Sequence, residues 1–405
     1  MKYFFTVVLF IFGCVSIGEA AGAAVPEPFQ GYDENSKYTI NFDDLSNILK
    51  TAVVDVGMST REKADPGHAA TGTRMKTSVK RSTINEGNRF YYETFAKNEE
   101  ARDLLIAIQK SLEQVPTQAP LKYFSRDEQL AYWLNLYNVT VLNEIIKEYP
   151  QRSLKKLAVG KKSIFTEKIL NVAGIPLSLD DIEYTILKNN YDSNPLIIYG
   201  LYQGYIGGPN IRKRAYTGGD VWRALKNNAH EFINSNRGTY PKDEKTFRVS
   251  SLYERNKAFF PDFDKDLTEH LMTYIEGDER AELQASKYLR ADIDDWTVTD
   301  LGGTYRDFGG AFADSNAALL DSVKSTVPAD GGGVIAASAG AGSTVLAASG
   351  KPMQRFDPEL MTHLNVLNEK REYTNVKNAT VTVEELGVAS EQPKKDADAG
   401  DKDDN

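Results

Sequence analysis

The segment SRDEQLAYWLNLYNVTVLNEIIKEYP limits what this chain can become more than any other stretch. Ser125 and Glu128 give the S-x-x-E pattern of a helix capping box, and Pro150 ends the run. Wound as a helix, the segment sets Leu130, Trp133, Leu134, Tyr137, Val141 and Ile145 along one face. Leu136, Val139 and Leu142 lie off that face. A helix apolar on nearly every side belongs in the middle of a core, so the rest of the domain must wrap around it. Asn135, Asn138 and Asn143 then sit on or beside a buried helix, and buried amides need partners. Asn135 and Asn138 share a face. Either they bind neighbouring backbone, or they point into a cleft as polar ligands.

Around this helix the pattern alternates between short helices and short strands. Leu105, Ile108, Leu112 and Val115 recur at helical spacing, predicting an amphipathic helix over 98–114. Ala173-Gly174 reads as the turn of a hairpin between 169–172 and 175–177. Ser178 then caps a helix whose first turn carries Asp180, Asp181 and Glu183, which suits the positive end of a helix dipole. PLIIYGLY reads as a short buried strand, and Thr217 with Asp220 opens a further helix. KTFRVSS reads as a strand. Ser251 and Glu254 repeat the capping box, with helical segments to about residue 289. ADIDDWTVTDLGG is the last strand-like piece. The expectation is an α+β fold: one helix-rich globular domain with a few short strands and a flexible C-terminal extension.

The two ends differ in composition from this core. At the start, one lysine precedes an apolar run, and Ala21-Gly22-Ala23 is an A-x-A cleavage pattern, so residues 1–23 read as a secretory signal peptide. Cys14, the only cysteine, lies inside it, in IFGC, which is similar to a bacterial lipoprotein box. Cleavage after Ala23 leaves a mature chain without a thiol. Lipidation of Cys14 would instead attach the chain to a membrane. Residues 24–309 form the globular domain. Residues 310–356 are Gly/Ala/Ser-rich and read as a linker, and 357–405 as a short helix with a disordered acidic tail. By this reading residues beyond about 310 are dispensable for folding. The net charge of −9 argues against a nucleic-acid partner.

Several of these segments, in this order, resemble the domain-of-unknown-function 547 family: RDEQLAYWLNLYNVTVLNEI, LNVAGIPLSLDDIEYTIL, the glycine stretch that follows, and FRVSSLYERNKAFFPDF. The resemblance covers roughly residues 91–303. It implies, for many members, a histidine in an IEH segment and cysteines in a loop patterned like CASIGCP. A thiol–imidazole pair would suggest a hydrolase or transferase. Here Tyr184 stands where that histidine would be, and Gln203 and Gly208 where the cysteines would be.

The remaining chemistry is sparse. His68, His230, His270 and His363 show no metal-ligand spacing, so no metal and no cofactor are expected. Ser250 and Ser251 are not in a G-x-S-x-G elbow, and Ser251 reads as a helix cap. Asp180, Asp181 and Glu183 are either acid–base groups or plain dipole-stabilising residues. Residues 197–214, IIYGLYQGYIGGPNIRKR, raise a sharper possibility. Gly204, Gly207 and Gly208 permit backbone N–H groups to converge on an anion, and Arg212 and Arg214 could add bidentate donors. The plain alternative is a structural turn with a solvated basic patch. The candidate ligand-binding set is therefore Asn135, Asn138, Asp181, Tyr184, Gln203, Gly204, Gly207, Gly208, Arg212 and Arg214, with no catalytic residue assigned. The expected role is a periplasmic or secreted ligand-binding protein for an anionic small molecule or envelope polymer. The alternatives are a hydrolase using carboxylate and amide groups around the glycine loop, and an interaction protein acting through its tail. The oligomeric state is not legible.

Overall fold

The computed structural model describes residues 24–61, 83, 86–160, 162–301, 354–357, 360–362, 365–366 and 369–370. The signal segment with Cys14, most of the linker, the acidic tail, His68 and His363 lie outside the described residues. The chain runs α1 (Asp43–Ala52), β1 (Val53–Val54), β2 (Arg89–Phe90), α2 (Tyr92–Lys97), α3 (Glu99–Glu113), α4 (Val115–Gln118) and α5 (Arg126–Lys147). After α6 (Lys155–Ala158) come β3 (Leu170–Val172) and β4 (Ile175–Leu177), a π-helix (Asp181–Leu187) and α7 (Lys188–Asn190). A 3₁₀ helix (Pro195–Gly200) precedes α8 (Val221–Ile233). Then follow β5 (Thr239–Asp243), β6 (Thr246–Ser250), α9 (Ser251–Arg255), α10 (Phe263–Tyr274), α11 (Asp278–Ala285) and β7 (Tyr288–Ile293). The fold is α+β and helix-rich, with small sheets: β1 pairs with β2, β3 with β4, and β6 lies between antiparallel β5 and parallel β7.

The central helix behaves as its sequence requires. All nine apolar positions named on α5 have no exposed surface. α3, α8 and the π-helix pack against it. Ser125 Oγ accepts the Glu128 N–H at 3.2 Å, so one half of the capping box forms. The other half does not. Glu128 turns away to accept Ile40 N–H at 2.8 Å and Gly218 N–H at 3.1 Å, tying the N-terminal arm to the start of α8. Burial raises the Glu128 carboxyl above its usual range, and these two bonds offset that only in part.

Several local expectations are corrected. PLIIYG is a 3₁₀ helix, not a strand: Pro195 pre-sets a helical φ in its first turn, and the Asn194 side chain caps it through Leu196 N–H. Ser250, not Ser251, caps α9, because Ser250 Oγ accepts Leu252 N–H at 3.1 Å while Ser251 bonds Asp294. Helix α11 ends at Ala285 and strand β7 begins at Tyr288, so the helical run expected to about residue 289 stops short and the strand expected from 291 starts three residues earlier. The hairpin turn, by contrast, sits where the sequence places it, at Ala173 and Gly174, with positive φ of 51° and 79°.

The C-terminal stretch also departs from its composition. Arg355, Phe356 and Leu360 are buried, at 3%, 2% and 4% exposure, so part of the chain beyond residue 310 is built into the core. No helix among the described residues is long and apolar enough to cross a membrane.

Candidate functional site

The glycine stretch lies inside the protein. Residues 201–209 are all buried, and only Gly204 among its glycines has a positive φ, of 78°. Its backbone is held from several sides. Asn138 Nδ2 donates to Gly200 O at 3.0 Å, and its Oδ1 accepts Tyr202 N–H at 2.9 Å. Asn135 clamps Tyr216 in the same two-way manner, at 2.8 Å for each bond. The backbone at 297–299 crosses beside it, with Ile206 N–H on Thr297 O at 2.9 Å and Thr299 N–H on Gly204 O at 3.0 Å. Buried Arg237 donates to Gly208 O and Glu231 and lies over the Phe232 ring.

These contacts decide what the glycines do. Gly204 has a positive φ, and a Cβ there would run into the Ile145 and Leu154 side chains, so the residue serves a tight turn packed against α5. Gly207 N–H donates to Asp295 O and Gly208 N–H to Tyr205 O, so neither points at an anion. Arg212 lies 3.5 Å from Asp220 and stacks over Tyr216 at 4.7 Å, while Arg214 is exposed. A Cβ on Gly208 would lie 2.7 Å from Gln203 Cβ, so the two positions where the resemblance implies cysteines adjoin in space.

The π-helix carries the unusual electrostatics. Lys188 N–H reaches back to Glu183 O, five residues earlier, and such widened turns recur at functional sites. Asp181 is its N-terminal brace, accepting Ser178 N–H at 2.6 Å and Ser178 Oγ–H at 2.7 Å and pairing with Lys168. Burial works against the Asp181 charge, but these partners outweigh it and lower the carboxyl below its usual range. Asp180 goes the other way: burial raises it, with Arg255 opposing.

Glu183 has no exposed surface and is not a dipole partner in solvent. Burial pushes its carboxyl up to about 7, against the pull of Arg255 and of the neighbouring Asn256 side chain, whose amide makes no hydrogen bond of good geometry to it. The nearest Arg255 nitrogen, Nη2, stands 3.6 Å from Glu183 Oε2, beyond hydrogen-bond length. Both Glu183 oxygens, Arg255 Nε and Nη2, and Gln203 Oε1 are buried without a hydrogen-bond partner. Gln203 is otherwise engaged, donating to Tyr137 OH at 3.2 Å and Leu201 O at 3.1 Å.

The surrounding groups join these atoms to one place. Glu183, Arg255 and Asp180 all act electrostatically on Tyr137, whose ring hangs from α5. Tyr184 OH donates to Arg255 O at 3.3 Å. The Arg255 guanidinium sits over the Phe165 ring at 5.0 Å. Burial opposes the Arg255 charge, yet Glu183 and the phenol oxygens of Tyr205, Tyr137 and Tyr184 hold it. The Arg255 side chain is 29% exposed, although its Nε and Nη2 are buried, and Glu183 has no exposed surface. The arrangement offers acceptors at Glu183 and Gln203 and donors at Arg255. It suits a small polar group carrying both kinds of partner.

Of the residues singled out from sequence, the structure brings Gln203 and Tyr184 to this cluster. It commits Asn135 and Asn138 to backbone, Asp181 to the brace, and Gly204, Gly207 and Gly208 to packing and turns. Arg255 and the polar role of Tyr137 were missed, since nothing local marks either. Glu183 had a usable signal: on a helix it shares a face with Ile186 and Leu187, both buried, which is no place for a solvated carboxylate. His230 pairs with Glu276 at 3.0 Å, and His270 bonds Tyr199 at 2.9 Å, where burial lowers it to about 4. Among the described residues no group of three or more His, Cys, Asp or Glu is placed to hold a metal ion.

Comparison with curated proteins and with solved structures gives no match. A family model does match, over residues 121–233, and its description is "Protein of unknown function, DUF547". Tyr137, Glu183 and Gln203 fall within that stretch and Arg255 reaches them from beyond it; residues 121–233 of this chain match the DUF547 family model.

Proposed function

We propose that this chain is an exported ligand-binding protein of the cell envelope, working without thiol catalysis, and that its DUF547 segment holds a small polar ligand between Glu183, Gln203 and Arg255. One observation carries the proposal. Five buried polar atoms, on Glu183, Gln203 and the partly exposed Arg255, have no hydrogen-bond partner. A native interior pairs such atoms with protein, water or ligand, because leaving them unmade costs about 1–3 kcal/mol each. A ligand carboxylate or carbonyl facing Arg255, with an amine or amide N–H facing Glu183 and Gln203, satisfies all three side chains. The anion contact expected of Arg212 and Arg214 passes in this proposal to Arg255. Peptide fragments of an envelope polymer carry both groups.

The test is calorimetric titration with glycylglycine, alanyl-alanine and alanyl-glutamate. Binding should weaken at least about tenfold in both Glu183→Gln and Arg255→Met, the loss of one charge-assisted hydrogen bond. Binding indifferent to both substitutions, or no binding by any of the three, rejects the site.

A hydrolase is the second reading, and the Glu183 carboxyl near 7 is what favours it. A group half-protonated at neutral pH is placed to pass protons. Peptide hydrolysis with an inflection near pH 7 that disappears in Glu183→Gln would move the site from binding to catalysis.

Export rests on the N-terminal lysine, apolar run and A-x-A pattern. The mature protein should begin at Ala24 and contain no thiol. Intact-mass measurement on the exported protein checks this, and a lipid-modified Cys14 at the N-terminus would replace the soluble reading with a membrane-attached one.

A further inference from the structure

The chain is described up to Leu301 and again from Gln354. What returns at 354 is held as a bound peptide would be. Arg355 lays its guanidinium against Asp44 in a two-pronged pair, Nη1 to Oδ1 at 2.8 Å and Nη2 to Oδ2 at 2.9 Å. Nη1 also donates to Asn41 O at 2.9 Å, and Nε to Ser111 Oγ at 2.9 Å. Both charges are about 1% exposed. The backbone joins in, with Asn41 N–H donating to Arg355 O at 2.7 Å. Beside the arginine, Phe356 stacks on Phe124 with centroids 5.9 Å apart, and Leu360 is buried.

These are the parts of a peptide-recognition site. A planar fork reads a carboxylate, an aromatic ring fills an apolar seat, and one backbone bond sets the register. Every receiving group comes from elsewhere in the chain. Asp44 lies in α1, Asn41 just before it, Ser111 in α3 and Phe124 before α5. An open cleft of about 710 Å³ lies between Gln354–Asp357 and the residues Asn41, Asp43, Ser46, Glu128 and Gly218. The returning segment thus forms one wall of that cleft.

We infer that Gln354–Asp357 together with Leu360 are a peptide ligand carried by the chain itself, docked in a groove that reads Arg355, Phe356 and Leu360. The groove recognises side chains and one backbone group, so it does not depend on the covalent path through residues 302–353. The covalent link raises the local concentration of the motif. The occupant is the chain's own segment.

The experiment uses the full chain with a site-specific protease sequence inserted between residues 320 and 345, cut after folding. On size-exclusion chromatography the C-terminal fragment should stay with the core. Excess synthetic peptide of residues 352–366 should displace it. The same peptide with Arg355→Ala should compete about thirtyfold less well or worse, since removing one partner of a buried charged pair costs at least that much. The substitution is in the peptide, so folding of the core is untouched. Separation of the fragment on cutting overturns the inference. So does a retained fragment that the peptide cannot displace, or equal competition by the Arg355→Ala peptide. An uncut dimer that dissociates on adding the peptide would place the segment in a second copy's groove and overturn the assignment within one chain.

Discussion

Trp133→Ala should lower the free energy of unfolding by about 3–5 kcal/mol. The indole has no exposed surface and sits on the helix that the other elements surround. Its ring meets Phe29 edge-on at 5.0 Å and Tyr132 at 4.9 Å. Phe29 belongs to the N-terminal arm, in the short 3₁₀ turn Glu27–Phe29, so the tryptophan also anchors that arm to α5. Trp133 Nε1 has no hydrogen-bond partner, so the substitution removes burial and dispersion and breaks no polar contact. The cavity opens in the middle of the domain, where neighbours on several elements would all have to move to fill it. Urea unfolding followed by far-UV circular dichroism measures the loss. A change below about 1 kcal/mol would mean that the site collapses freely and that α5 is not the rigid centre.

The centrality of α5 was legible because it needs only local pattern: apolar residues on every side of a capped helix have one place to go. α3 and the 173–174 hairpin turn were legible for the same reason. What failed were cases where a tertiary partner outbid the local one. Glu128 leaves its capping role because Ile40 and Gly218 present backbone N–H groups to it. PLIIYG has strand-like composition, yet Asn194 and Pro195 start a tight helix there. Arg355 sits at the edge of a Gly/Ala/Ser-rich stretch, and its burial is explained by Asp44, Asn41 and Ser111, all far away in sequence. The candidate site shows the same division. Tyr184 and Gln203 were reached through a family resemblance. Arg255 could not be read at all, because its meaning lies in a carboxylate on a different element. The glycines misled for a related reason. Three glycines near a basic run look like an anion loop until Ile145 and the 295–299 backbone are seen pressed against them.

The sharpest expectation about the site is a pH dependence of stability that disappears in Glu183→Gln. The folded carboxyl stands at about 7 against 4.5 in the absence of the fold, because burial favours the neutral form. Below pH 4.5 both states are protonated and Glu183 contributes no slope. Between 4.5 and 7 the unfolded chain gives up the proton while the folded chain keeps it, so stability falls as pH rises. The fall amounts to at most about 1.4 kcal/mol per pH unit, and up to about 3 kcal/mol once pH exceeds 7. Glu183→Gln keeps the size of the side chain and removes its titration. It should match the wild type near pH 4 and exceed it by up to about 3 kcal/mol at pH 8. Asp180, Glu128 and Glu231 are also raised, chiefly by burial, and add slopes of the same sign. The difference between the two proteins is therefore the measurement, taken by urea unfolding from pH 4 to pH 8.5. Arg255→Met should carry the fall on to higher pH at the same limiting slope, because the arginine helps to lower Glu183 within its buried setting. Parallel profiles for wild type and Glu183→Gln would mean that Glu183 is already satisfied by solvent, and the binding site built on its unpartnered oxygens would go with it. A steep wild-type profile that flattens when a dipeptide is added would say the reverse: an amine beside Glu183 stabilises the carboxylate, pulls its pKa down, and makes binding release a proton.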